Sequence, residues 1–375
     1  MKLIKFTYKT KTLSQYGFFL LVAMLVLLLF GWFFIPSIPE GMIDQQPLSL
    51  NGKYLKFNDM AIVSGFIESI KKNNGYLVLG TSETTSIKKG NFYDFLNADT
   101  SVRARFSVLA GAGRTCGIHI PMLMSHKESV DSLKIIYMIN PVYWRSELCR
   151  INKGYWVNYN NYAMCKQLDL TDNEHRKYYG VIEPYFQVLN IGEKMIYTIE
   201  YWLRRIRSKF FQDLKYYLDP NEYVHKMNFF NPKKSGLGLY ENYNRPDLEL
   251  IDTSWNISYK FHDKKWLNPI LEEETYRFDE LKSFISITQD LGIDVIYIVG
   301  PYNQTFIEKY NPALLEGYSN TVDKIKVLLK NENVKFIDAS GIAKMKGSFR
   351  DNQHHSSFGA YLIYEKIKSF INENN

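Results

Sequence analysis

The chain reads as an α/β protein, a flavodoxin-like three-layer α/β/α sandwich, and three observations predict it. Short strand-like runs recur at Leu77 to Leu79, Arg103 to Leu109, Leu133 to Ile139, Ile293 to Val299 and Val334 to Ile337, and the first has the continuous apolar pattern of a parallel strand buried on both faces. Helical periods lie between them, so strand and helix alternate. Each run also stops at turn residues, at Gly80, Gly111, Asn140-Pro141, Gly300-Pro301 or Asp338, which places polar groups at the carboxyl ends of strands, where open α/β sheets bind ligands.

In chain order, Gly17 to Ile35 is an uninterrupted apolar run of about 19 residues, enough to cross a hydrocarbon core of roughly 30 Å. A cleaved signal peptide is the rival reading. Its apolar region is usually about 7 to 15 residues and ends in small residues, whereas this run ends in Trp32-Phe33-Phe34-Ile35-Pro36, an aromatic interface belt. Lys2, Lys5, Lys9 and Lys11 precede the run and no acid occurs until Glu40, so residues 1–16 are expected in the cytoplasm, with 17–35 as a single-pass anchor in the cell membrane and the rest outside.

The chain has 375 residues and 46% hydrophobic content, ample for a core. Its formal charge is +7, and those four lysines account for four charges, which leaves about three on the remainder. That is too little to argue for nucleic acid. It suits a lipid bilayer or an anionic polymer as neighbour.

Residues 36–57 read as a linker, with Pro36-Ser37-Ile38-Pro39 and Glu40-Gly41 as turn chemistry. A first core segment, 58–144, opens on a helical period from an Asn58 N-cap to Lys72 and feeds the strand at Leu77. The roughly 145 residues between the strands at Leu133 and Ile293 are too many for one crossover, so 145–271 is expected to form a mostly helical inserted subdomain. Within it, Ile191 to Leu218 carries Trp202, Arg204, Arg205, Arg207, Phe210 and Phe211; this is either an amphipathic helix packed on the core or a helix for a membrane surface. A second core segment, 272–375, holds the last two strands and a closing amphipathic helix.

Cys116, Cys149 and Cys165 have no metal-site spacing, and Cys149 with Cys165 is the pair closest in sequence. No metal or redox cofactor is called for.

The chemistry concentrates at two places. In Tyr76-Leu77-Val78-Leu79-Gly80-Thr81-Ser82-Glu83, a glycine permits a tight turn and Ser82 follows at the strand's carboxyl end, beside backbone N–H groups able to hold an oxyanion. Gly-x-Ser alone also describes turns and helix caps. Near the other end, Asp351-Asn352-Gln353-His354 sets an acid three residues before an imidazole, so that the carboxylate can orient the ring while the ring takes a proton from a serine. Asp338 competes as the acid, and the three-residue spacing favours Asp351. His355 is the neighbour of His354 and is expected to be exposed or substrate-facing.

Gly80-Thr81-Ser82, Asp351-x-x-His354 and Gly359 together resemble the first and last blocks of the SGNH (GDSL-type) hydrolases. Within that superfamily the stretch resembles the DltD family of teichoic-acid D-alanylation proteins, whose nucleophile lies in Gly-Ser-Ser-Glu. Thr81 replaces the first serine and Glu83 is retained. The resemblance implies the SGNH hydrolase fold, Ser82 as nucleophile, His354 as general base and acid, and Asp351 orienting it. Ala110-Gly111-Ala112-Gly113-Arg114-Thr115 stands where the second block supplies an oxyanion N–H, and Gly113 matches better than Gly111. His119, after it, is a possible pocket-lining residue or a packed one.

The third block, Gly-x-Asn-Asp, is absent. Chain order points to Asn140 as its asparagine, and local likeness to a Pro-Val-Asn stretch of the family points to Asn303 in Gly300-Pro301-Tyr302-Asn303. Either asparagine could instead close an Asx turn. The resemblance further implies transfer of a D-alanyl group to lipoteichoic acid or a similar cell-envelope polymer. The implied partners are a DltB-like membrane-bound O-acyltransferase and an acyl carrier protein pathway. A membrane-bound esterase or thioesterase, and a decayed scaffold that only recruits polymer, are the alternatives.

Overall fold

The computed structural model describes residues 15–26, 42–44, 48–50, 53–55, 58–84, 91–110, 115–145, 274–349 and 353–374. The chain divides into two compact units, Met1–Pro39 with Leu189–Leu214, and Glu40–Val188 with Lys215–Asn375. In the first, residues 15–26 form helix α1, whose Tyr16, Phe18, Phe19 and Leu20 are exposed. The expected span is thus helical as far as 26, and 27–35 lie outside the described residues. Among the described residues no helix is long and apolar enough to cross a membrane.

The second unit is built on a seven-stranded sheet. The stretch expected to be a linker differs from that expectation: it supplies β1 (Met42–Asp44), β2 (Leu48–Leu50) and β3 (Lys53–Leu55). β1 pairs antiparallel with β4 (Asn58–Asp59). β2 and β3 form a hairpin in which Leu50 pairs with Lys53, so only Asn51-Gly52 separates them. Asn-Gly between paired strands is the strongest short-range hairpin signal a sequence carries, and it explains the difference.

Five parallel strands follow: β5 (Tyr76–Leu79), β6 (Phe106–Ala110), β7 (Lys134–Ile139), β8 (Asp294–Val299) and β9 (Lys335–Asp338). The sheet order is β3-β2-β6-β5-β7-β8-β9, parallel from β6 to β9, with β2 antiparallel on β6. Numbered among themselves, the parallel strands run 2-1-3-4-5, the flavodoxin-like order. β7 and β8 pair without a break from Lys134↔Asp294 to Ile139↔Val299, although the chain between them includes 146–273, which lies outside the described residues.

Side chains alternate across the strands with period two. Val78, Val108, Ile136, Met138, Ile296 and Ile298 share one buried cluster with α3 (Phe92–Ala98) and α10 (Ser357–Asn374) through Phe92, Phe95, Leu96, Ile363, Tyr364 and Ile367. The residues between them take the other face, where Tyr137 meets His119 of α4 (Cys116–Ser125) at 5.7 Å and Phe284 of α7 (Glu274–Asp290) at 4.7 Å between ring centroids. α2 (Met60–Lys72) packs against β5 on a face that buries Phe66, Ile67 and Ile70, and two short helices, α5 (Lys127–Val130) and α6 (Val142–Arg145), precede and follow β7 in the chain. Burial of each such large apolar side chain contributes roughly 1.5–3 kcal/mol.

After β8, α8 (Gln304–Tyr310) leads to α9 (Leu315–Asn331), which packs on β8 and β9. At the end of β9, Asp338 accepts from the Ser340 backbone N–H at 2.9 Å and lies 3.3 Å from Lys326 Nζ. The rival acid is thereby committed to a turn and an ion pair.

Candidate functional site

In a sheet of this order the strand connections reverse direction between β5 and β7, and ligands bind in the crevice beyond the carboxyl ends of those strands. Ser82 follows β5 and Asn140 follows β7.

The turn after β5 depends on Gly80. A Cβ there would stand 2.8 Å from Thr84 Cγ2 and 3.1 Å from Met138 Cβ, so a side chain would push the turn away from the strand ends. Ser82–Thr84 forms one 3-10 turn. The Thr84 N–H and hydroxyl both donate to the Thr81 carbonyl, at 3.1 and 2.7 Å. Asn91, which caps α3, donates its amide to the Glu83 carbonyl at 2.8 Å. Thr81 and Glu83 are buried on either side of Ser82, and the Thr81 hydroxyl donates to Glu83 Oε2.

Asn140 is buried at the end of β7, and its Oδ1 accepts from the Val142 N–H at 3.0 Å. This fixes which way the amide is turned. Its Nδ2 closes no hydrogen bond among the described residues. Asn303, also buried, caps α8 by accepting from the Phe306 N–H at 3.0 Å. Both asparagines therefore close local turns.

The loop before α10 is held by close packing. A Cβ on Gly359 would lie 2.0 Å from the Ser348 carbonyl oxygen, so only glycine lets the helix start so near that strand of chain. Ser356 caps the helix, accepting from the Gly359 N–H at 3.0 Å and donating to the Gly347 carbonyl at 2.5 Å. His355 differs from the sequence expectation. It is buried, pairs by a β-bridge with Phe349, and packs its ring 5.3 Å from that phenyl. His354 is half-buried, with the Gln353 amide nitrogen 3.2 Å from its Nε2.

Glu83 is buried beside Ser82. Burial raises its carboxyl above the ordinary range, and the Thr81 hydroxyl, the turn's own backbone, the charge of His354 and the Asn140 amide oppose this in that order. The residue after Ser82 thus feels both the imidazole from the C-terminal loop and the amide from β7. Asp351 and Gly113 lie outside the described residues, as do Cys149 and Cys165.

Two further features escaped the sequence reading. Thr115, just after the glycine turn, accepts from Arg277 at 2.8 Å, and Arg277 pairs with Glu280 at 2.6 Å, all three side chains being buried. An Arg and a Glu at i,i+3 on a helix usually mark a solvated face, so only the fold reveals the pair as internal. Cys116 is a buried thiol whose pKa is pushed up by that burial and by Glu280, which leaves it unreactive. His119 is packed against Tyr137, as the plainer of its two readings had it.

A serine on a pinned turn and a preoriented amide past the end of the neighbouring strand are parts that nucleophilic acyl transfer can use. Residues 258–372, which include His354 and most of α10, match the family described as DltD protein, so the resemblance seen in the sequence is borne out over that segment. No curated protein matches the chain. Similar solved structures include the acetylxylan esterase Axe2 from Geobacillus stearothermophilus, 11% identical over 79% of this chain and 93% of that one, with a TM-score of 0.34. A mutant of the same enzyme, described as an acetyl-xylooligosaccharide esterase, is 13% identical over 79% and 92%, with a TM-score of 0.33. Likeness at that score carries no argument about substrate or activity.

Proposed function

We infer that this DltD-like chain is a membrane-anchored, extracytoplasmic SGNH acyltransferase that works through an acyl-serine at Ser82 in the D-alanylation, or a related O-acylation, of a cell-envelope polymer such as teichoic acid. The observation that best supports the reading is the placement of Ser82 and Asn140 just past the ends of neighbouring strands at the switch point of the sheet, in a chain whose segment with His354 matches the DltD family.

The Ser82 hydroxyl attacks the carbonyl of an activated acyl donor and gives its proton to His354, which Asp351 orients. The backbone N–H groups of Ser82 and Gly113, with the Asn140 amide, hold the oxyanion; Asn303 is the alternative amide. His354 then protonates the leaving group, and the acyl group rests on Ser82 as an ester. A polymer hydroxyl attacks this ester as His354 takes its proton, and Ser82 recovers a proton when it leaves. A DltB-like membrane-bound O-acyltransferase, fed by an acyl carrier protein pathway, would supply the donor, and residues 17–35 would hold the chain beside it.

Reconstitution in vesicles with such a partner and a D-alanyl donor tests this. The expected result is an acyl adduct on the Ser82 peptide and D-alanyl ester on the polymer, both lost in Ser82→Ala. Release of free D-alanine from the polymer without any partner would favour an esterase. Polymer acylation at the wild-type level by Ser82→Ala would favour a scaffold.

A further inference from the structure

The acyl-serine chemistry gives no task to Arg277. One nitrogen of its guanidinium, Nη1, donates to the Thr115 hydroxyl at 2.8 Å and to Glu280 Oε2 at 2.6 Å, and all three side chains are buried. Both hydrogens of that nitrogen are thereby committed, so Glu280 fixes the direction from which Arg277 faces Thr115. Two local preferences are set aside to build this contact. A buried ion pair is seldom more stabilising than apolar side chains of the same volume would be. Thr115 is also the N-cap of α4, where a threonine hydroxyl ordinarily accepts from the first turn of the helix; here it makes no cap bond and is turned to Arg277 instead. Departures of this kind concentrate where function demands them.

The place of the contact shows what it could serve. β6 ends at Ala110, which is held in register against Ser49 of β2. Cys116, the residue after Thr115, donates its thiol to the Tyr137 hydroxyl of β7 at 3.2 Å. Only four residues, 111–114, join Ala110 to Thr115, and Gly113 is one of them. β6 pairs in parallel with β5, so this link leaves the sheet at the same end as the turn that carries Ser82.

We propose that Arg277 and Glu280 are positioning residues of the acyl-transfer site: through Thr115 they set the far end of the 111–114 link, and with it the Gly113 N–H that holds the oxyanion. The inference rests on the acyl-serine reading. The reach of so short a link is limited by both its ends, and release of the Thr115 hydroxyl frees one of them. An oxyanion donor acts only within hydrogen-bond distance of the place where charge develops. A small displacement of that donor therefore slows the chemical step, while the strength with which a reagent is first held is unchanged.

The test is covalent labelling of the full-length protein in detergent by a fluorophosphonate over a range of reagent concentrations, which separates the limiting rate from the half-saturating concentration, with a thermal melt of each variant. Thr115→Val keeps the shape of the side chain and removes its hydroxyl. Its limiting rate should fall about tenfold, short of the roughly hundredfold or more that outright loss of an oxyanion donor costs, with the half-saturating concentration held within about twofold. Thr115→Ser restores the hydroxyl and should restore the limiting rate to within about threefold of the wild type. Arg277→Lys keeps a charge beside Glu280 but loses the planar fork, and should slow the same step. Because both variants act through one contact, the double variant Thr115→Val with Arg277→Lys should be no slower than the slower single one. A contact that only braces the fold would lower the melting temperature and leave the limiting rate of Thr115→Val at the wild-type value, and that outcome overturns the proposal. Should Thr115→Val lack the folded transition, a wild-type limiting rate in Arg277→Lys overturns it instead. Labelling of Ser82→Ala at the wild-type rate is a different failure, since it removes the acyl-serine reading itself.

Discussion

At the scale of single residues, the fold keeps several polar groups buried at specific posts, and each gives stability a pH dependence of its own. His126 accepts or donates at 2.9 Å to Ser64 Oγ through Nδ1 and is buried, which lowers its pKa to about 4. The unfolded chain binds a proton at this ring near pH 6.5, and the folded one does not until about pH 4. Stability linked to His126 is therefore full above pH 6.5 and lost as pH falls towards 4, by an amount on the order of 3 kcal/mol. His126→Asn, which keeps a hydrogen-bonding atom near the Nδ1 position, should flatten the loss between pH 6.5 and pH 4 in urea unfolding; an unchanged slope would assign it elsewhere. Ser82 and His354 were legible as residues because Gly-x-Ser after an apolar run and Asp-x-x-His before a helix are local patterns. Glu83 was visible as a letter of the motif, yet its burial comes from packing that no local pattern encodes. The same limit kept Asn140 and Asn303 level in the sequence, since both follow parallel strands, and the fold shows both capping local turns, on Val142 and on Phe306.

At the scale of elements, helices are tied to one another by polar contacts at the rim of the core. Asp99, the C-cap of α3, accepts from Tyr364 at 2.6 Å and pairs with Lys368 at 2.8 Å, both on α10, the helix that follows His354. Burial pushes the Asp99 carboxyl up, but Lys368, Tyr364 and Ser101 outweigh it and hold the pKa well below the ordinary carboxylate range. A folded-state pKa below the unfolded one means that the contribution is present above about pH 4 and fades as pH falls through the folded value. Asp99→Asn should therefore cost about 1–2 kcal/mol at pH 7, and the difference from the wild type should shrink below pH 4. A difference constant from pH 7 to pH 3 would contradict the tie. Most elements were readable from apolar period and turn residues, and the strands at β5, β7, β8 and β9 differ from the sequence reading by a residue or so. The β2–β3 hairpin was missed because proline and glycine around residue 40 made the whole stretch resemble a linker, while Asn51-Gly52 carried the contrary signal.

At the scale of the whole molecule, the strand order decides where chemistry can occur. A 2-1-3-4-5 parallel sheet brings the first and third parallel strands side by side, so residues 58 positions apart in sequence, Ser82 and Asn140, follow neighbouring strands. Alternation of strands and helices made this class legible; the order itself was not, because pairing between distant strands depends on which faces pack, as the buried Arg277–Glu280 pair against Thr115 illustrates. In the proposed reaction a hydroxyl from the β5 turn and an imidazole from the loop before α10 act as one nucleophilic pair. The most direct measurement is fluorophosphonate labelling of the full-length protein at neutral pH, with the adduct located by peptide mass spectrometry. An adduct is expected on Ser82, absent in Ser82→Ala and slowed by two to four orders of magnitude in His354→Gln, roughly the span of general base catalysis. An adduct elsewhere in the chain, or a His354→Gln protein labelled as fast as the wild type, would contradict it.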